Sequence, residues 1–142
     1  MAYTFQVTID SVAPHDLAEW WAEALGWAVE PSDEAFIRRM VDEGRASEED
    51  TTRHRGVLVW KAGAAINHPE PERAPRIFFQ GVPEPKTGKN RVHLDVRTGD
   101  DYPGSVERLL AHGATKLYDG QQGPHSWVTL TDPEGNELCV SP

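Results

Sequence analysis

The chain has 142 residues, and its 23 acidic and 14 basic side chains give a formal net charge of −9. This length fits one domain and leaves too little material for a second independent core. An acidic surface repels phosphate backbones and anionic lipids, which excludes nucleic acids and membrane surfaces as expected partners. The single cysteine, Cys139, rules out an intramolecular disulfide, and the N-terminus lacks the basic region of a signal peptide. We therefore expect a small acidic protein of the reducing cytoplasm.

The first half of the chain predicts a strand, a helix and then further strands. Residues 3–10 alternate between apolar and polar side chains, which is the period of a half-buried strand. Apolar residues then recur at helical spacing from Pro14 onward, and Gly26 is placed to end this helix in the left-handed conformation. We expect the remaining strands of this half near residues 26–30, 56–61 and 76–81.

The second half predicts the same order of elements. Residues 91–98 alternate again, and a helix is expected over residues 102–112. The next strand is expected over Ala114–Tyr118, and two strands near 126–131 and 137–141 follow it, joined by the turn sequence Asp132–Gly135. Gly26 and Gly113 are 87 residues apart, as are the opening strands, so the two halves form an internal repeat of the strand–helix–three-strand type.

The ends of the two halves match at a shorter spacing, which indicates an insert in the first half. Gln80–Pro83 matches Cys139–Pro142 at an offset of 59, so the first half holds about 28 extra residues. This insert, at about residues 32–55, is predicted to be helical, because Asp33 can cap a helix there. We divide the single domain 1–142 into module one, residues 1–83, and module two, residues 90–142.

The phrases Lys89–Val96 and Asp132–Val140, with the repeated pattern, resemble the vicinal oxygen chelate superfamily, and most of all its glyoxalase-like domain branch. The resemblance implies an α+β fold in which two tandem βαβββ modules form a cupped mixed sheet. It also implies a ligand or metal in the cup and a homodimer. Members include glyoxalase I, ring-cleaving dioxygenases and metal-free drug-sequestering proteins of the bleomycin-resistance type.

The resemblance also supplies a candidate metal site. In this superfamily the ligands come from the first and last strands of each module, and the matching residues here are Gln6, Gln80, His93 and Cys139. This set has no certain carboxylate, and neutral amides offset the charge of a divalent ion poorly. We therefore expect no metal and no other cofactor. The alternative is a divalent metal held by Gln6, His93 and Glu137.

Aromatic residues on the predicted strands indicate an organic ligand. By strand alternation, Trp60, Phe78 and Trp127 face the cup, where they can stack on a flat molecule. Ordinary core packing is the alternative for each of them. Asp95 shares the cup face with His93, and either Asp95 or Glu137 is a candidate general base. A structural bond between Asp95 and His93 is the alternative there.

The expected function is binding of a small organic metabolite or drug in an aromatic-lined cup, without an essential metal. The ligand-binding residues expected are Gln6, Trp60, Phe78, Gln80, His93, Trp127 and Cys139. The rival expectation is a metal-dependent lyase, isomerase or dioxygenase, with His93, Asp95 and Glu137 as candidate catalytic residues. An interaction module without any ligand is a third reading, which the polar and aromatic cup face disfavours.

Overall fold

The computed structural model describes all 142 residues, which divide into two compact units, Met1–Glu84 and Pro85–Pro142. The first unit contains β1 (Val7–Ser11), α1 (Pro14–Leu25), β2 (Ala28–Val29), α2 (Glu34–Asp42), β3 (Thr51–His54), β4 (Val57–Trp60), β5 (Gly63–Asn67) and β6 (Ile77–Gly81). The second unit contains β7 (Leu94–Arg97), α3 (Tyr102–Ala111), β8 (Thr115–Gln122), β9 (His125–Thr131) and β10 (Glu137–Ser141).

Each unit holds one four-stranded sheet, and the two sheets have the same connectivity. The strand orders are β1-β6-β5-β2 and β7-β10-β9-β8. In each sheet the first strand pairs in parallel with the last, and the other neighbours are antiparallel. The parallel pair requires a long crossover, which α1 or α3 begins. The predicted α+β class and the two βαβββ units are therefore confirmed.

The crossover helices cover one face of their own sheets. In the first unit Trp21 of α1 and Phe79 of β6 are almost completely buried. In the second unit Leu109 of α3 is buried together with Leu138 and Val140 of β10. Because strand side chains alternate, the residues between these core positions lie on the opposite, uncovered face of each sheet. That second face carries the candidate sites.

The two crossover helices end in the same way. The N–H groups of Gly26 and Gly113 each donate to the carbonyl three residues earlier, and both glycines have positive φ angles, 69° and 111°. The next residue donates in each case to the carbonyl five residues earlier. This is the glycine-ended helix expected from the sequence, and the spacing of 87 residues holds in three dimensions.

The closing strands are offset by two residues from the predicted match. In the first unit Val7 pairs with Ile77. In the second unit Leu94, the equivalent of Val7, pairs with Leu138. The spacing between the closing strands is therefore the 61 residues from Ile77 to Leu138, and the predicted offset of 59 is wrong. An even shift keeps every side chain on its predicted face, because the strand period is two.

The insert is only partly helical, which corrects the expectation for residues 32–55. Asp33 caps α2 as predicted, since its Oδ1 accepts from the N–H of Phe36 at 3.0 Å. A 3-10 turn at Glu48–Asp50 and the hairpin of β3 with β4 then follow. The apolar run of β4, predicted as the third sheet strand, thus belongs to this separate hairpin. The sheet uses β5 instead, whose small residues carry a weak strand signal.

Glycine is required where β5 begins. Gly63 has a φ of 151°, and a Cβ there would lie 1.9 Å from the carbonyl oxygen of Phe79. The backbone of β5 therefore approaches β6 more closely than any residue with a side chain allows.

No helix of this protein combines the length and the apolar character needed to cross a lipid bilayer.

Candidate functional site

The uncovered face of the second sheet lines a cavity of about 680 Å³, here called the second-unit cavity. Leu138 and Val140 point into the core, so Cys139 between them points into the cavity. Strand pairing places Asp95 beside Cys139 in β7 and Thr129 beside it in β9. The full lining is Lys89, His93, Asp95, Arg97, Tyr118, Gln122, Pro124, His125, Ser126, Trp127, Thr129, Glu137, Cys139, Ser141 and Pro142.

Three reactive side chains of the cavity lining lie close together. His93, Asp95 and Cys139 each offer one donor atom, and these atoms all lie within 4.8 Å of one another. Nε2 of His93 is 3.4 Å from Oδ1 of Asp95. Sγ of Cys139 is 3.4 Å from the hydroxyl oxygen of Thr129. Cys139 is half-buried on the polar face, so it is not one of the buried apolar residues of the core.

The carboxylate of Glu137 is bound by two residues of the segment that precedes β7. Its Oε2 accepts from the backbone N–H of Asn90 at 3.1 Å and lies 3.4 Å from Nζ of Lys86. Burial disfavours the charged carboxylate, but the backbone N–H donors and the Lys86 ammonium outweigh it, and the pKa of Glu137 is lowered. Glu137 does not belong to the three-donor cluster of His93, Asp95 and Cys139.

The alternative metal site of Gln6, His93 and Glu137 does not fit the contacts that these side chains make. Gln6, in the first unit, accepts from Arg76 at 2.8 Å and donates to Thr8 at 3.3 Å. Glu137 is tied to Lys86 and Asn90, so two of the three proposed ligands are engaged elsewhere. Hard divalent ions such as Mg²⁺ and Mn²⁺ need anionic oxygen donors, and the one carboxylate of this set already has a cationic partner.

An aromatic wall closes one side of the second-unit cavity. The indole of Trp127 lies over Gly120, where an added Cβ would approach the ring to 2.1 Å. Tyr118 lines the same cavity, although sequence reasoning did not select it. The reason is an irregularity between Lys116 and Tyr118, which breaks the strand alternation and turns Tyr118 to this face. No pattern in the sequence predicts this bulge.

Only some of the charged side chains that line the second-unit cavity have a partner of opposite charge. The guanidinium of Arg97 lines the cavity without an ion pair or hydrogen bond, and the ammonium of Lys89 donates a hydrogen bond only to the carbonyl of Asn90. Asp95 faces His93, and Glu137 is neutralised by Lys86. The second-unit cavity thus presents two cations without carboxylate partners in a chain whose net charge is −9. The alternation of residues 91–98 puts Arg97 on the same face as His93, whereas no sequence pattern selects Lys89.

The first unit has its own cavity of about 480 Å³, the first-unit cavity, which contains Trp60 and Phe78. Arg76 also lines this cavity and donates two hydrogen bonds to Glu30, at 2.6 and 2.8 Å. These bonds from Arg76 lower the pKa of Glu30 to about 2, against the opposing effect of burial. Gln80 is exposed, pairs with Asp10 and does not line this cavity. The structure thus groups Trp60 with Phe78, and His93 with Trp127 and Cys139.

A histidine from the insert hairpin borders the first-unit cavity. Nε2 of His54 donates to Glu19 at 2.7 Å, and its ring stacks on His15 at 5.3 Å. Burial tends to raise the pKa of Glu19, but the hydrogen bonds from Arg55 and His54 lower it overall. This contact joins β3 to α1. Residues of the hairpin line the first-unit cavity, whereas no residue of α2 does.

Comparisons with known proteins agree with the observed fold. A family model described as glyoxalase-like domain matches residues 6–141. No curated protein matches the sequence. The fosfomycin resistance protein FosX from Listeria monocytogenes has a TM-score of 0.65 at 7% identity, covering 99% of this chain and 91% of that one. FosX from Mesorhizobium loti has a TM-score of 0.62 at 8% identity, with coverages of 99% and 91%.

A further solved structure has a higher identity. The glyoxalase/bleomycin resistance protein/dioxygenase family enzyme from Burkholderia phytofirmans has a TM-score of 0.58 at 15% identity, covering 95% of this chain and 94% of that one. At such identities these likenesses show the fold alone.

Proposed function

Because the chain belongs to the glyoxalase-like domain family, we propose that it binds a small organic anion in the second-unit cavity without an essential metal. The observation that supports this proposal is the pair of cations, Arg97 and Lys89, that line the cavity without carboxylate partners. The chain carries 23 acidic and 14 basic side chains, yet neither cation has a carboxylate partner. A carboxylate or phosphonate of the ligand is the missing partner.

The remaining lining suits the organic part of such a ligand. A guanidinium group binds a carboxylate through two parallel hydrogen bonds, which would orient the anion at Arg97. The indole of Trp127 offers a flat apolar surface for a ring or conjugated chain. Of the residues expected to bind ligand, the proposal uses His93, Trp127 and Cys139. It assigns Trp60, Phe78, Gln6 and Gln80, which lie in the first unit, no role at this site.

A metal-dependent enzyme is the second candidate, and one observation favours it. The donor atoms of His93, Asp95 and Cys139 lie within 4.8 Å of one another, and these are residue types that bind zinc. The earlier alternative set of Gln6, His93 and Glu137 lacks this support, because Glu137 is held by Lys86 and Asn90. Analysis of metal content in the purified protein separates the two candidates. Stoichiometric metal that is lost in His93→Ala would overturn the metal-free proposal.

Anion binding is tested by isothermal titration with benzoate and phenylphosphonate, and with uncharged benzamide as the matched probe. Charged hydrogen bonds contribute about 1.5–3 kcal/mol, so Arg97→Gln should weaken benzoate binding by roughly tenfold or more. Arg91→Gln, which removes an exposed cation outside the cavity lining, is the control and should leave binding unchanged. Equal binding of benzamide and benzoate, with no effect of Arg97→Gln, would refute the proposal.

Homodimer formation also remains a proposal. Phe5 and Val92 occupy equivalent positions before β1 and β7, and both are strongly exposed, at 73% and 82%. β1 and β7 are also edge strands of their sheets, and such strands with apolar flanks are suited to pairing with a second chain. Sedimentation at micromolar concentration should therefore show a dimer that Phe5→Glu weakens.

Cytoplasmic location is likewise still a prediction, which fractionation of expressing cells can check.

A further inference from the structure

We propose that Cys139 is a nucleophile, assisted by His93 and Asp95, that forms a reversible covalent adduct with a carbonyl ligand. The inference rests on the proposed function, since it needs the second-unit cavity to bind an organic anion. The ligand class is a flat conjugated aldehyde or ketone that also carries a carboxylate. Neither the family match nor the similar structures assign a role to this cysteine.

The arrangement of the three side chains supports a nucleophilic thiol. A thiol becomes an effective nucleophile when an imidazole is near enough to take its proton and a carboxylate orients that imidazole. Here a ring nitrogen of His93 and a carboxylate oxygen of Asp95 both lie within 4.8 Å of Sγ of Cys139. Nε2 of His93 lies 3.4 Å from Oδ1 of Asp95, so the carboxylate favours the imidazolium that forms when His93 takes the thiol proton.

The position of Cys139 makes the thiol accessible from the cavity. It lies on β10 between β7 and β9, so its backbone is held by neighbouring strands on both sides. Its side chain is half-buried and lines the second-unit cavity. The hydroxyl of Thr129, 3.4 Å from Sγ, is a further polar contact that fixes the sulfur. Thiols at rigid, accessible and polar positions are the ones that react, whereas those in apolar cores are inert.

The first unit shows that the fold does not require these residues. At the 61-residue spacing of the closing strands, Phe78 occupies the position of Cys139. At the 87-residue spacing of the opening strands, Gln6 and Thr8 occupy the positions of His93 and Asp95. The same βαβββ framework therefore forms with a phenyl ring, an amide and a hydroxyl. Its second copy carries a thiol, an imidazole and a carboxylate together.

The proposed step is an addition that conserves every atom. The Sγ–H bond breaks, Sγ bonds to the carbonyl carbon, and the C=O double bond becomes a C–O single bond. The thiol proton passes through His93 to the carbonyl oxygen, so the new group is an uncharged hemithioacetal, or a hemithioketal from a ketone, and the ligand keeps its carboxylate. No oxidant, reductant or leaving group takes part. Arg97 holds the carboxylate of the ligand, and Trp127 covers its conjugated part.

The reactivity of the thiol is tested by its rate of alkylation with iodoacetamide at pH 7. Cys139 is the only cysteine, so all thiol labelling of the intact chain reports on this residue. We expect His93→Gln to lower the rate at least about tenfold and Asp95→Asn to lower it by a smaller factor. His112→Gln, at the end of α3 and outside the cavity lining, is the matched control. Circular dichroism establishes that each variant folds.

Adduct formation is tested with 4-formylbenzoate labelled with ¹³C at the aldehyde. In wild-type protein the carbonyl signal should move to the range of tetrahedral carbon, and in Cys139→Ser it should not move. Benzoate, which has no carbonyl to attack, tests the site separately. If benzoate binds but no adduct forms and His93→Gln alkylates normally, the nucleophile is refuted while the proposed function stands. If neither probe binds, both fail. Alkylation that requires prior chelator treatment would also overturn the inference, because it identifies a metal-bound thiolate.

Discussion

Gly120 lies directly beneath the indole of Trp127, so that a single methyl group at Gly120 would reach the ring at 2.1 Å. The pair fixes the aromatic wall of the second-unit cavity, since the indole rests on bare backbone of β8. β8 and β9 place the two residues opposite each other in an antiparallel pair. The position of the wall thus depends on a glycine that makes no polar contribution to the site.

Gly120→Ala should therefore destabilise the protein and move Trp127. Overpacking of this kind costs about 1–3 kcal/mol, which urea denaturation resolves. Gly104→Ala is the matched control, because a Cβ at Gly104 in α3 meets nothing within 4 Å. That change should raise the free energy of unfolding by about 0.4–1 kcal/mol through the loss of chain entropy. Equal effects of the two substitutions would contradict the packing of Trp127 on Gly120.

The two tryptophans predicted to contact ligand should respond differently. Trp127 lines the second-unit cavity, whereas Trp60 lines the first-unit cavity. We expect Trp127→Leu to remove the change in fluorescence that phenylphosphonate produces and to weaken its binding about two- to tenfold, since stacking contributes about 0.5–1.5 kcal/mol beyond burial. Trp60→Leu should leave both measurements close to wild type. A dependence on Trp60 alone would move the binding site to the first unit.

The ion pair of Glu30 with Arg76 should make stability depend on pH. The pKa of Glu30 in the folded protein is about 2, below its usual value of 4.5, because Arg76 donates two hydrogen bonds to it. A lowered folded pKa gives stability that is fully present above pH 4.5 and is lost as the pH falls toward 2. Both side chains are more than a third exposed, so solvent screening limits the contribution.

Glu30→Gln should accordingly lower the free energy of unfolding by about 1 kcal/mol at pH 7 and by progressively less below pH 4.5. Urea denaturation at pH 7, 4 and 3 measures the difference. Glu72→Gln, an exposed carboxylate without an ion pair, is the control and should match wild type throughout. A difference that grows as the pH falls would show the sign to be wrong.

Glu19 should hold the insert hairpin against α1. Its carboxylate accepts hydrogen bonds from His54 at 2.7 Å and from Arg55 at 2.9 Å. Glu19→Gln removes the charge that both partners recognise, so the backbone amides of β3 and β4 should exchange hydrogen for deuterium faster. The exchange of β9 and β10 should not change. Glu49→Gln, also in the insert but without an ion pair, is the matched control.

The sequence by itself determined the repeated framework. The alternation predicts strands at residues 3–10 and 91–98, where the structure forms the shorter strands Val7–Ser11 and Leu94–Arg97. The glycines at 26 and 113 end their helices as predicted, in the left-handed conformation. Local rules act through neighbours in the chain, so they can be read from one sequence. The polar face that carries His93, Asp95 and Cys139 follows from the same alternation.

Strand pairing and the ion pairs were decided only by the tertiary structure. β5 is chosen over β4 as the third sheet strand because Gly63 lets its backbone lie against β6, a contact between segments distant in sequence. The bulge before Tyr118 and the capture of Glu137 by Lys86 and Asn90 are likewise long-range. Such choices depend on how side chains from separate strands fit together, and the periodicity of a single segment contains no information about its partner.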